Sequence, residues 1–360
     1  MISKDILIIL LSITAHITCA QTSFHTLNTS SDTTITETSI THFAKQFTST
    51  SEFLDAAINS INSFNSLIKK ENYRNKITAL NNPTSSDMGF NLENEIQSAL
   101  KPLFAKVKNT NTEKFSQVVS SLFTTPAKAG VTTAKTVAPA INPLFGTLFS
   151  LVGTLTIQEK RITRDDLDSF INTTSKYFVQ YEKLNQANNL FDQNIERLNA
   201  KLSELQFDLK EYMMDMITIL YPGIQRQQLK TATTEDLLLK YLDKQKLDDA
   251  TGNLEASGRN FQYPTDGIKS AKDISNTLQK LFTEYQKVYS DNYQQTRNIL
   301  LQSKSLGKNI NTQQVDASLK ELEDLYNDSK NSDVLSLRLT TLFERLKTLV
   351  ASEQSFVVQK

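Results

Sequence analysis

The chain is poor in the residues that turn, cross-link and catalyse. Of its 360 residues, nine are Gly, seven are Pro, one is Cys, three are His and none is Trp. Sheet proteins reverse direction every ten or so residues and use Gly and Pro to do it, so this scarcity argues against a strand-rich fold and for long helices. The lone Cys19 excludes a disulfide framework. The histidines beyond the N-terminus are His25 and His42. Both lie in or beside a Ser/Thr-rich stretch where nothing preorganises a general base, so a thiol nucleophile or a transition-metal site is not expected. Net charge is absent too, with Lys plus Arg and Asp plus Glu both numbering 39. A neutral chain without a basic, aromatic-interleaved run gives no electrostatic case for nucleic acid. Neither a phosphate-cradling glycine loop nor a nucleophile elbow occurs. The expectation is a protein that is not an enzyme, with no cofactor, no metal and no small-molecule substrate.

What is present is helical periodicity. From Leu167, steps of three and four residues meet Phe170, Thr174, Tyr177, Tyr181, Leu184, Asn188, Phe191, Ile195, Leu198, Leu202, Leu205, Leu209, Tyr212, Met216 and Ile219. This is the a/d spacing of a heptad, and only Thr174 and Asn188 break its apolar character. No Gly or Pro interrupts Arg164 to Leu220, which predicts a helix roughly 80 Å long. The apolar residues beside the seam, Ile171, Phe178, Met213 and Leu220, widen the stripe as a multi-helix bundle requires. Asn188 either fixes helix register or is a polar residue tolerated at a widened part of the seam. Asp165, Asp166 and Asp168 in the first turns are accounted for by the helix dipole.

Around this helix the chain reads as follows. Lys4, the apolar run Ile6 to Ile13 and the small-residue end Thr18-Cys19-Ala20 form a secretory signal, residues 1–20, with cleavage after Ala20. Residues 21–41 read as a disordered Ser/Thr-rich leader, and 42–360 as a single helical domain. A first helix is expected over about 40–80, stopped by Asn81-Asn82-Pro83. A second starts near Phe90 with Leu92, Ile96, Leu100, Leu103 and Val107 inward and Pro102 as a kink. Phe115, Val118, Val119, Leu122 and Phe123 resume the stripe. After the long helix Tyr221-Pro222-Gly223 forces a reversal. A short helix from Thr234, an N-cap candidate, to Asp248 leads to a long loop over 251–266. Two further helices, marked by Ile274 to Val288 and by Val315 to Leu349, close the chain. The fold class is all-α, an elongated multi-helix bundle of five to seven helices with long coiled-coil-like members.

One insert stands apart. Between Lys135 and Glu159 no residue is charged, and at helical rise the stretch 136–158 reaches about 34 Å. Pro139 and Pro143 argue for a bent element whose second half is a helix. In that half Gly146, Ser150 and Gly153 share a face that permits close helix approach. Leu144, Phe145, Leu148, Phe149, Leu151, Val152 and Leu155 lie opposite. Such an element is either a core helix buried all round or a membrane-inserting head.

From about Phe90 to Leu220, the succession of amphipathic helix, apolar insert and long helix resembles in layout the bacterial helical pore-forming toxins of the cytolysin A and haemolysin BL type. In those proteins a helical stalk carries an apolar head, so the resemblance implies membrane activity for residues 136–158. The export signal and the absence of Cys after it suit a bacterial periplasmic, envelope or secreted protein. The first functional expectation is therefore an exported, non-enzymatic bundle acting on a protein partner, by self-association or as a structural element of the envelope. A membrane-active protein inserting 136–158 is the alternative.

Overall fold

The computed structural model describes residues 34–106, 113, 116–121, 141–158, 161–256, 263–264, 266–307, 309–330 and 332–357. The expected signal segment, most of the leader, Val107, the polar patch after it, Phe115, Leu122, Phe123 and Pro139 lie outside the described residues. The chain divides into two units, residues 1–42 and 43–360. Of the first, residues 34–42 are described, and they are helical. The second is a helical bundle, and no strand occurs among the described residues.

Its spine is the heptad helix, α5 (Arg164–Leu220), which forms over the expected residues. Every seam position is buried except Leu167 and Ile219, which are half-buried. Two arms pack along it, and a last arm packs on those two. The first comprises α1 (Thr34–Ile68), α2 (Asn72–Leu80) and α3 (Leu92–Phe104) in succession. This arm runs antiparallel to α5: Arg74 pairs with Asp192, the Phe90 ring meets that of Tyr177 at 4.8 Å, and Lys106 reaches Asp166. After α5, the Tyr221-Pro222-Gly223 reversal leads through the single turns α6 (Arg226–Leu229) and α7 (Thr234–Leu237). A π turn, Leu238–Leu242, and α8 (Lys244–Ala256) follow. The third arm, α9 (Gly267–Ser303), returns along α5 as its most extensive neighbour. Glu284 joins Arg197 and Lys201 across that contact. The fourth arm, α10 (Thr312–Lys330) and α11 (Asp333–Val357), turns back again. The Tyr326 ring stacks on Tyr293 at 4.3 Å, and Arg345 pairs with Glu52. The unit is thus an up-down-up-down bundle whose first and last arms are broken.

Several expectations on helix boundaries are corrected. The first helix begins at Thr34 and stops at Ile68 rather than running to residue 80. Continuing its buried spacing beyond Ile68 would place residues 72, 75 and 79 inward. The buried residues are instead Tyr73, Lys76, Ile77 and Leu80, a shift of one position that only a break can supply. The cap of α7 is Thr233, not Thr234, because Asp236 stands three residues on and closes a capping box. The expected loop from 251 is helical to Ala256: Leu247, Ala250 and Leu254 are buried, and that packing offsets the roughly 1 kcal/mol penalty of Gly252. The last expected helix is two, with Ser332 between them. Among the described residues the helices outnumber the five to seven expected, because these breaks were read as continuous.

Gly89 locks the break between α2 and α3. Its φ is +82°, and a Cβ there would lie 2.5 Å from Val315 Cγ2. Its carbonyl accepts from Asn311 N–H at 2.8 Å, which fixes the start of α10 against the loop.

Candidate functional site

The apolar insert contributes α4 (Ile141–Gln158). Pro143 falls in its first turn, where a missing N–H leaves no ladder bond unmade. Leu148 and Val152, one turn apart, are completely buried. Phe149 and Leu151 are half-buried, and the Phe149 ring lies 6.2 Å from that of Phe170 on α5. The principal packing partner of α4 is α5. The opposite face is open: Gly146, Thr147, Ser150 and Thr154 are exposed, Gly153 is half-buried, and a Cβ built on either glycine meets nothing within 4 Å. The side chains of Leu144, Phe145 and Leu155 lie outside the described residues. Among the described residues no helix is long and apolar enough to cross a membrane.

The point from which α4 departs is clamped. Thr163 caps α5 in a capping box: Asp166 Oδ2 accepts from the Thr163 N–H at 2.9 Å and from its hydroxyl at 2.8 Å, and the Asp166 N–H donates back to Thr163 Oγ1. Lys106, just past the end of α3, donates to the same carboxylate. That Lys106 bond, followed by the Thr163 bonds, holds the Asp166 pKa down at about 2. The contact joins the end of α3 to the first turn of α5 across sixty residues of sequence. The helix-dipole explanation of Asp166 was therefore incomplete. Lys106 carried no signal in the sequence, since its partner is sixty residues away.

Asn188 is not part of this site. It lies eighteen residues beyond Phe170 on α5, about 27 Å along the helix, in a buried polar layer that joins three arms. Its Nδ2 donates to Ile77 O at 2.8 Å. Ile77 is in the last turn of α2, where carbonyls have no intrahelical partner, so the Asn188 amide satisfies an orphan acceptor. One residue earlier, Ala187 O accepts from Asn292 Nδ2 on α9 at 3.0 Å, and Asn292 Oδ1 accepts from the Tyr73 hydroxyl of α2 at 2.8 Å. Tyr73 and Asn292 escaped notice in the sequence because nothing local distinguishes a paired buried polar group from a solvated one. Among the described residues no group of three metal-ligating side chains converges.

No protein-family profile, curated protein or solved structure matches this chain. The likeness to pore-forming toxins is therefore one of layout, and layout does not carry function by itself.

Proposed function

We propose that this protein acts without catalysis, as an exported bacterial helical-bundle protein of the envelope or its surroundings that binds a protein partner through the outward face of α4. One observation supports the reading above the others: α4 docks through Leu148 and Val152 and turns Gly146, Thr147, Ser150 and Thr154 outward. Small side chains let a second helix approach closely, and a face without charge is cheap to desolvate. The test is a benzoylphenylalanine cross-linker placed at Ser150 in cells exporting the protein. A discrete adduct with one protein is expected. An adduct pattern no different from that of the same probe at exposed Ser203 on α5 refutes the reading.

A membrane-active second reading draws on the uncharged run between Lys135 and Glu159. It requires α4 to leave α5 and present Leu148, Phe149 and Val152 to lipid. Flotation with liposomes and dye release, lost in an equally helical Leu148→Asp, Leu151→Asp variant, is its expected signature. Absence of flotation by the unaltered protein rejects it.

A further inference from the structure

A cleft of about 580 Å³ lies between α1 and the start of α11, a volume within the roughly 300–1,000 Å³ of small-molecule sites. Leu67 and Leu335, both buried, and the exposed Val334 give it an apolar wall. The rest of its lining is polar, and most of that polar lining is already engaged. Asn59 Nδ2 donates to Asp55 at 3.1 Å, Asn62 Nδ2 to Glu235 at 2.8 Å and the Ser66 hydroxyl to Asn62 O at 2.9 Å. Lys70 pairs with Asp328 at 3.4 Å.

Three lining groups at the start of α11 are not engaged. Arg338 is half-buried and Asp333 exposed, and neither forms a hydrogen bond or ion pair among the described residues. Ser332 Oγ is buried without a partner. Arg338 and Asp333 have opposite charges, yet they stand five residues apart on one helix. That separation falls outside the three- and four-residue spacings at which helical side chains meet. The cleft therefore holds an uncompensated cation and an uncompensated anion that do not neutralise each other. An uncharged ligand would match neither, and a simple anion or cation would match one.

We propose that this cleft binds a zwitterion, a free α-amino acid with an aliphatic side chain. The ligand's carboxylate takes the planar fork of N–H donors that Arg338 offers, and the Ser332 hydroxyl adds a further donor. Its ammonium group pairs with Asp333. Leu67, Val334 and Leu335 cover the aliphatic side chain. Because Asp333 is exposed, its ionic contact contributes modestly, and a dissociation constant of about 1 mM is expected. The site makes no use of α4 and stands whether or not the α4 face takes a partner.

Ligand-observed NMR titration of the full chain with L-leucine tests this. Binding is expected, and Arg338→Gln and Asp333→Asn each weaken it about tenfold with unchanged helicity, since neither side chain has a partner in the protein to lose. Altered ligands show which charge meets which residue. Leucinamide, which lacks the carboxylate, binds the unaltered protein and Arg338→Gln equally. N-acetyl-leucine, which lacks the ammonium group, is in the same way indifferent to Asp333→Asn. Absence of leucine binding up to about 20 mM overturns the proposal. So does binding that neither variant weakens, or a loss confined to one of the two.

Discussion

Tyr73→Phe isolates the polar layer at the centre of the bundle. The substitution keeps the ring in contact with Phe191 and Tyr289, at 5.6 and 5.2 Å, and removes only the hydroxyl. Asn292 is 3 % exposed, so its Oδ1 loses its donor without gaining water. An acceptor left unpaired in the core costs about 1–3 kcal/mol. Asn292→Leu, close to isosteric, strands the Tyr73 hydroxyl instead and costs a similar amount. The Ala187 carbonyl is less affected, because a carbonyl oxygen has two lone pairs and the helical N–H of Phe191 remains available to it. Combined, the two substitutions place apolar groups on both sides of the contact and leave neither a buried donor nor a buried acceptor behind. The double variant should therefore be more stable than the sum of the singles by about 1–2 kcal/mol. Guanidinium unfolding followed by circular dichroism at 222 nm, with the denaturant slope unchanged across all four proteins, reads this coupling. Additivity to within about 0.5 kcal/mol would refute the claim that Tyr73 and Asn292 act as one layer across the arms.

Three further outcomes follow from the same geometry. Gly89→Ala combines a left-handed φ with a Cβ driven into Val315, and should cost about 2–4 kcal/mol in a denaturant titration. Leu148→Asp buries a carboxylate against α5, a penalty of several kcal/mol that one-sided docking cannot offset. Limited proteolysis should then cut within 141–158 while the main thermal transition moves by no more than about 2 °C. Asp166→Asn should destabilise the protein at neutral pH. The Asp166 pKa is held at about 2, below its unfolded value, so its contribution is complete above about pH 4 and fades as pH falls through 2. The stability difference between the two proteins should narrow over that interval, and a difference constant from pH 6 to 2 would contradict the assignment.

The spine was legible because its signal is repeated: sixteen positions at three- and four-residue spacing name one stripe, and a single polar residue such as Asn188 cannot erase it. Apolar residues recur at helical spacing on both sides of the breaks at Ile68 and at Ser332, and the breaks were read through for that reason. Thr233 was available to a stricter reading, since only it has an acid three residues later. The clamp of Lys106 on Asp166 and the alignment of Tyr73 with Asn292 join residues remote in sequence, and no local pattern encodes them. For α4 the sequence grouped Gly146, Ser150 and Gly153 on one face, but its pattern does not encode which side of the helix the bundle covers.

The reading of α4 as a helix docked on one side and open on the other is tested most directly by thiol reactivity. Cysteines are introduced singly, as Gly146→Cys, Leu148→Cys, Ser150→Cys and Val152→Cys, in a Cys19→Ser background, and their rates with a maleimide are compared. The account predicts that positions 146 and 150 react at the rate of a free thiol. Positions 148 and 152 should react about 100-fold more slowly, as a local opening free energy of about 3 kcal/mol implies. Four slow rates would mean a helix covered all round, and four fast ones a helix that does not rest on α5; either contradicts it.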